Sequence, residues 1–193
     1  MIRTLSATWR ISVVLALLAL AVSAHASILD QNNPALNVYF NDNAFEWQQQ
    51  VTAGIGGHLA GIVLYGSDGT VTDTVRVGMG NGFFTGTYAF ITTANLLPGG
   101  TYIDISSAGI TLAPGQPFVI DVLGATKCCS LMGSTNPYAG GNLYSSYNGF
   151  TDPDPYSMGF QTYMNTTPEP GSLVLLGSGI LGALGVARRK LIG

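Results

Sequence analysis

The middle of the chain is built from short runs in which apolar and polar residues alternate. In the run 71–79, Val75 and Val77 fall on one face of an extended chain, and Thr74 and Arg76 fall on the other. Because successive side chains of a β-strand point to opposite faces, this alternation predicts a strand with one buried face. The same reasoning predicts further strands at 58–65, 84–91, 102–105, 118–123 and 158–164.

Glycine- and proline-containing turn sequences separate these runs. They include Asn81-Gly82, Pro98-Gly99, Pro114-Gly115 and Asn148-Gly149. No part of the body shows a helical period of sufficient length with caps. We therefore expect an all-β fold, an antiparallel β-sandwich or a jelly-roll-like arrangement, whose strand order stays open.

The N-terminus has the three parts of a secretory signal peptide. Arg3 and Arg10 are followed by an apolar run at 11–22, and Ala24 and Ala26 place small residues where a signal peptidase requires them. The pattern predicts a signal peptide at 1–26, cleaved after Ala26. The alternative is an uncleaved N-terminal anchor, but the run is short against the about 20 residues that a span needs.

The C-terminus combines three features in a fixed order. Pro168, Glu169 and Pro170 come first, and an apolar run at 171–187 follows. The run is near the lower length limit of a transmembrane helix. The chain then becomes basic, which should keep its end on the cytoplasmic side and the body outside. The basic residues are Arg188, Arg189 and Lys190.

These residues resemble the PEP-CTERM sorting tail. The resemblance implies that a membrane-embedded exosortase recognises the motif at 168–170 while the inner membrane holds the protein transiently. It also implies processing, movement to the cell surface or extracellular matrix, and a connection with exopolysaccharide production. A plain tail-anchored membrane protein is the alternative. The chain thus divides into a signal peptide (1–26), a β-sandwich domain (27–165) and a sorting tail (166–193).

Charge narrows the choice of partners. Between 27 and 170 the only basic residues are Arg76 and Lys127, whereas all ten acidic residues lie there, so the net charge is near −8. A nucleic acid or an anionic membrane surface would be repelled by such a body. We expect neither of them as a partner.

The two cysteines, Cys128 and Cys129, are adjacent. Exported proteins usually pair their cysteines, but neighbours can close only a strained ring. Two interpretations stay open. Either the two cysteines form a vicinal disulfide, or they are reduced or pair with cysteines of another molecule. Zinc is not expected, because adjacent thiolates are poorly placed for tetrahedral coordination.

Catalytic chemistry has little support in the sequence. His58 is the single histidine of the predicted mature chain, and it stands beside an apolar strand. Glu46, Asp152 and Asp154 are the candidate carboxylates for a glycoside hydrolase, the third-ranked function. We expect no enzyme. Two segments are candidates for calcium binding, Asp152 with Asp154, and residues 41–43. We prefer to interpret both as solvated turns, because calcium takes six to eight oxygen ligands.

The sequence supports carbohydrate binding better than it supports catalysis. Tyrosines lie close together in sequence among asparagines between 136 and 163. Aromatic faces can stack on sugar rings while amides bond hydroxyl groups. A lectin-like surface module is therefore the alternative to a purely structural surface protein. The candidate glycan-binding residues are Tyr138, Tyr144, Tyr147 and Tyr156.

Overall fold

The computed structural model describes most of the body of the chain. The described residues are 27–33, 36–40, 45–67, 72–124, 131–166 and 177–179. The predicted signal peptide with Ala24 and Ala26, the pair Cys128 and Cys129, the motif at 168–170 and the basic end at 188–190 lie outside them. Within the described residues, no helix has the length and apolar character needed to cross a membrane.

Thirteen strands and two short 3-10 helices make up the described body, which forms one compact unit from Ser27 to Thr166. The helices span Ser106–Ala108 and Ser146–Asn148. In chain order the strands are β1 (Ser27–Asn33), β2 (Val38–Phe40), β3 (Glu46–Thr52), β4 (Gly57–Leu64), β5 (Thr72–Gly78), β6 (Tyr88–Asn95), β7 (Thr101–Asp104), β8 (Thr111–Leu112), β9 (Pro117–Gly124), β10 (Leu131–Ser134), β11 (Leu143–Ser145), β12 (Ser157–Met158) and β13 (Phe160–Asn165).

The strands form two five-stranded sheets and one small sheet. The first sheet has the order β1-β13-β4-β7, with β8 also paired to β4, and the second has the order β11-β3-β9-β5-β6. The small sheet has the order β12-β10-β2. Every strand pairing within the described residues is antiparallel. The predicted all-β, antiparallel fold is confirmed.

Large apolar side chains from both five-stranded sheets form a single core. Ile62 of β4 and Phe160 of β13 come from the first sheet, and Trp47 and Phe118 come from the second. All four side chains are buried. Val75 and Val77 are buried as their alternation predicted, because burial of apolar area is the main favourable contribution to folding.

Three details differ from the predicted strands. The strand expected at 84–91 begins only at Tyr88, and Phe84 lies in the preceding loop. The strand expected at 158–164 is interrupted at Gly159, whose N–H bonds the carbonyl of Met132 instead of joining β13. Six of the described strands lie outside the predicted runs, namely β1, β2, β3, β8, β10 and β11. In β3, three successive glutamines hide the alternation.

Gln49 shows how a polar residue fits the inner face of β3. Its side chain is buried between Trp47 and Val51 in the strand. Its Oε1 accepts a bond from the N–H of Met158 at 2.9 Å, and its Nε2 donates to the carbonyl of Gln50 at 2.9 Å. A buried amide is stable only with such partners, so these bonds account for a glutamine in the core.

Candidate functional site

The sandwich domain ends where the first and last strands meet. Ser27 of β1 is the register partner of Asn165 of β13, and Asn165 also pairs with His58 of β4. A Cβ at Gly57 would collide with the carbonyl of Asn165, so a glycine allows this close approach. The last residue of β13 is therefore fixed on both sides, directly before the predicted sorting tail.

The four tyrosines predicted to bind glycan lie in different surroundings. The Tyr138 hydroxyl donates to Oε1 of Gln31 at 2.7 Å, and its ring packs edge-on against Phe160. Burial raises the pKa of Tyr138. Tyr147 is 67% exposed and Tyr156 is 37% exposed. Tyr144 lies half-buried on β11. Among the described residues, none of these four rings stacks on another.

An aromatic pair that was not predicted joins two distant loops. The rings of Phe83 and Phe150 stack with centroids 4.3 Å apart and planes 17° apart. Phe150 has a φ of 60°, which is rare for a residue with a side chain. The Asn148 Oδ1 accepts the N–H of Phe150 at 3.0 Å, which holds this conformation.

A cluster of charged and polar side chains lies on the outer face of the second sheet. Nη2 of Arg76 is 2.7 Å from Oε1 of Glu46 and 2.5 Å from Oδ2 of Asp121. The guanidinium carbon lies 4.4 Å from the centre of the Tyr88 ring. The register explains the cluster, because Asp121 is the partner of both Gln48 on β3 and Arg76 on β5.

The loop between β5 and β6 covers this cluster. Oε1 of Gln48 accepts the N–H of Phe84 at 2.8 Å, and Nε2 of Gln48 donates to the Phe84 carbonyl at 3.2 Å. The Phe84 ring lies against Gly78 and Gly80, where any Cβ would meet it. Asp121 is consequently buried although it is on the outer face of its sheet.

One guanidinium thus faces two carboxylates. The Asp121 side chain is fully buried, whereas the side chains of Arg76 and Glu46 are 19% and 20% exposed. Burial raises the pKa of Asp121 to about 7, and the Glu46 carboxylate adds to the rise, while Tyr88 and Arg76 oppose it. Burial and the bond to Asp121 also raise the pKa of Tyr88. Asp121 is therefore buried beneath a loop whose Phe84 backbone is hydrogen-bonded by Gln48.

The other candidate catalytic residues belong to different segments of the chain from those that form this cluster. His58 is exposed on β4, with its Nδ1 2.9 Å from Oγ1 of Thr111. Asp152 is exposed, and Asp154 is half-buried with its N–H bonded to the carbonyl of Leu143. Within the ranges that the structure describes, no three His, Cys, Asp or Glu residues are placed to hold a metal ion.

Comparison with known proteins adds one finding, at the C-terminus. A search of curated proteins finds no match to the chain. Residues 166–190 match the family described as the PEP-CTERM protein-sorting motif. The match contains the predicted motif at 168–170, the apolar run and the basic end. The chain therefore carries a PEP-CTERM sorting motif, which indicates an exported protein sorted to the cell surface with an exosortase as its processing partner.

Proposed function

We propose that the chain is a non-enzymatic protein of the cell surface or extracellular matrix that associates with exopolysaccharide. An exosortase sorts it through Pro168, Glu169 and Pro170. The observation that carries the proposal is the match of residues 166–190 to the PEP-CTERM sorting motif. Signal peptidase removes the first 26 residues, and the inner membrane holds the chain only until it is processed.

The physical chemistry of the tail suits recognition by another protein. Pro168 and Pro170 lack backbone N–H groups and disfavour the helical conformation in the residue before each of them. Both properties disfavour strand pairing and helix formation at the motif. The apolar run at 171–187 supplies a membrane span of marginal length, and Arg188, Arg189 and Lys190 oppose its transfer across the membrane.

The end of the sandwich supports processing at this point. The described strands lie between Ser27 and Asn165, and Asn165 is bonded within the first sheet between β1 and β4. Cleavage at or after Pro168 would break no strand pairing of this sheet. A protein trimmed there keeps both faces of its core covered.

The use of its carboxylates supports a non-enzymatic role for the body. Glu46, the strongest candidate for a hydrolase, is bound to Arg76. Its nearest acidic partner, Asp121, shares that guanidinium and is buried. A glycoside hydrolase needs two carboxyl groups that flank an accessible substrate bond, and this pair lacks that access.

The proposal is tested by replacing the motif and measuring release. We expect the triple variant Pro168→Ala, Glu169→Gln, Pro170→Ala to stay in the membrane fraction, while the unchanged chain reaches the medium or matrix. The chain offers a matched control in Pro153 and Pro155, which flank Asp154 in an exposed loop. Alanine at both control positions should leave release unchanged. Normal release of the triple variant would contradict the sorting role.

A further inference from the structure

Two tyrosines stand together on the outer face of the first sheet. Tyr102 belongs to β7 and Tyr163 to β13, and strand β4 runs between them. Their ring centres are 5.8 Å apart and their planes meet at 69°. The two rings therefore meet edge to face and are not stacked in parallel. We refer to these two residues, with Gly61 between them, as the tyrosine platform.

Gly61 determines how Tyr102 is presented. Gly61 is the register partner of Tyr163, and a Cβ at Gly61 would collide with the ring and hydroxyl of Tyr102. The Tyr102 ring thus lies directly over the β4 backbone. Tyr102 is nevertheless 52% exposed, so the side of the ring away from Gly61 is open to solvent. A glycine inside a strand weakens that strand, and it often marks a site where another group approaches the backbone closely.

Neutral hydrogen-bonding groups lie beside the two rings. The Tyr163 hydroxyl donates to Oε1 of Gln161 at 2.8 Å, and Nε2 of Gln161 donates to Oδ1 of Asn32 at 3.2 Å. Leu29, the register partner of Tyr163, is 45% exposed and extends the apolar surface. An aromatic face with amides beside it is complementary to a sugar ring, which has C–H groups on its faces and hydroxyl groups around its edge.

Charge decides which class of sugar fits. Asp104 follows Tyr102 by two residues on the same strand and is exposed; its Oδ1 accepts the N–H of Ser106 at 2.9 Å. Among the described residues Arg76 is the single Lys or Arg, and it lies on the second sheet in its ion pairs. Within the described part of the chain, a uronate or sulfate polymer on this face would meet the Asp104 carboxylate and no cation. A second copy of this acidic body would meet the same repulsion.

We propose that the tyrosine platform binds a neutral polysaccharide, with one pyranose ring stacked on the open face of Tyr102 and bounded by Tyr163. The inference rests on the proposed association with exopolysaccharide, and it moves the contact from the loop tyrosines to the outer face of the first sheet. Tyr102 supplies the apolar contact, and Gln161 and Asn32 supply hydrogen bonds to hydroxyl groups.

The test is electrophoresis of the full chain, in mild detergent, through gels that contain a neutral polysaccharide. Hydroxyethylcellulose and galactomannan are the neutral probes, and alginate is the acidic comparison. The variants are Tyr102→Ala, which removes the ring, and Tyr102→Phe, which keeps it. Tyr39→Ala is the matched control, because Tyr39 is 58% exposed on β2. Tyr147→Ala tests the loop site.

We expect retardation of the unchanged chain in at least one neutral gel and none in alginate. Tyr102→Ala should weaken the affinity about tenfold or more, the usual scale for a tyrosine that dominates a contact. Tyr102→Phe and Tyr39→Ala should bind as the unchanged chain does. No retardation in either neutral gel would overturn the inference. Loss of binding in Tyr147→Ala alone would also overturn it and place the contact on the loop.

Two further measurements separate this inference from neighbouring explanations. Light scattering on the Tyr102→Ala variant should show an unchanged molecular mass; a fall in mass would assign the platform to self-association and overturn the inference. Sorting is measured independently by release from the membrane. Normal release without gel retardation would defeat the platform alone, whereas retardation without release would defeat the sorting proposal alone.

Discussion

Ser27 and Asn165 lie opposite each other in the antiparallel ladder between β1 and β13. The predicted signal-peptide cleavage site directly precedes Ser27, and the sorting-motif match begins directly after Asn165. The residues that adjoin the predicted signal peptide and the sorting motif are therefore neighbours at one end of the first sheet. Removal of both segments would leave the pairing of β1 with β13 intact.

Asp30 is predicted to be the main polar anchor of β1. Its Oδ1 accepts the N–H groups of Gly54 at 2.9 Å and Ile55 at 2.7 Å, and its Oδ2 accepts the Thr162 hydroxyl at 3.3 Å. Asp30→Ala should lower the free energy of unfolding by about 1–3 kcal/mol, because the N–H groups lose a charged acceptor. Urea denaturation measures the change.

Two variants check that the Asp30 effect is specific. Asp30→Asn should lose less stability, since an amide oxygen can still accept from both N–H groups. Asp152→Ala removes a carboxylate from an exposed loop and should change little. Equal losses in Asp30→Ala and Asp152→Ala would show that the contacts of Asp30 do not stabilise β1.

Asp121 should make stability depend on pH in an unusual direction. Its pKa is raised from 3.8 to about 7 in the folded protein, so the folded state binds more protons than the unfolded state between these values. The contribution of Asp121 is complete below about pH 4 and is lost as the pH rises to about 7. The slope reaches at most about 1.4 kcal/mol per pH unit.

The variant Asp121→Asn isolates this effect, because it cannot titrate. Glu46, Arg76 and Tyr88 still face position 121 and remain in both proteins. The free energy of unfolding of the variant, minus that of the unchanged chain, should rise between pH 4 and pH 7 and then level off. Urea denaturation at four pH values measures it. A difference that does not vary with pH would contradict the raised pKa.

Phe83 and Phe150 should be energetically coupled. Their stack joins the β5–β6 loop to the loop after the second 3-10 helix, at a centroid distance of 4.3 Å. A double-mutant cycle with Phe83→Ala and Phe150→Ala should give a coupling energy of about 0.5–1.5 kcal/mol. The matched cycle pairs Phe83→Ala with Tyr102→Ala, on the first sheet, and should give none. Equal coupling energies in both cycles would show that the Phe83–Phe150 stack is not a stabilising contact.

The sequence predicted the strands whose apolar residues alternate without interruption. β5 and β9 are in this class, because Val75, Val77, Ile120 and Val122 all point into the core. β3 was missed, since Gln49 occupies an inner position and is stable there only through its bonds to Met158 and Gln50. Those partners are remote in sequence or belong to the backbone, so local pattern does not reveal them.

The sites were harder to predict than the strands, because they are formed by contacts between segments that are distant in sequence. The alternation places Asp121 on the polar face of β9, which is correct, but only the loop that carries Phe84 explains its burial. Tyr102 and Tyr163 were both within predicted strands. Their meeting across Gly61 follows from the order β13-β4-β7, and the sequence left the strand order open. The sorting motif was recognisable because its residues are contiguous.

The intact mass of the protein, measured from both the membrane fraction and the medium or matrix, distinguishes sorting through the motif from a plain tail anchor. The proposed sorting predicts a released product that begins at Ser27 and ends at or near Pro168, Glu169 and Pro170. A chain that still ends at Gly193 and occurs only in membranes would be a plain tail-anchored protein, and it would contradict sorting through this motif.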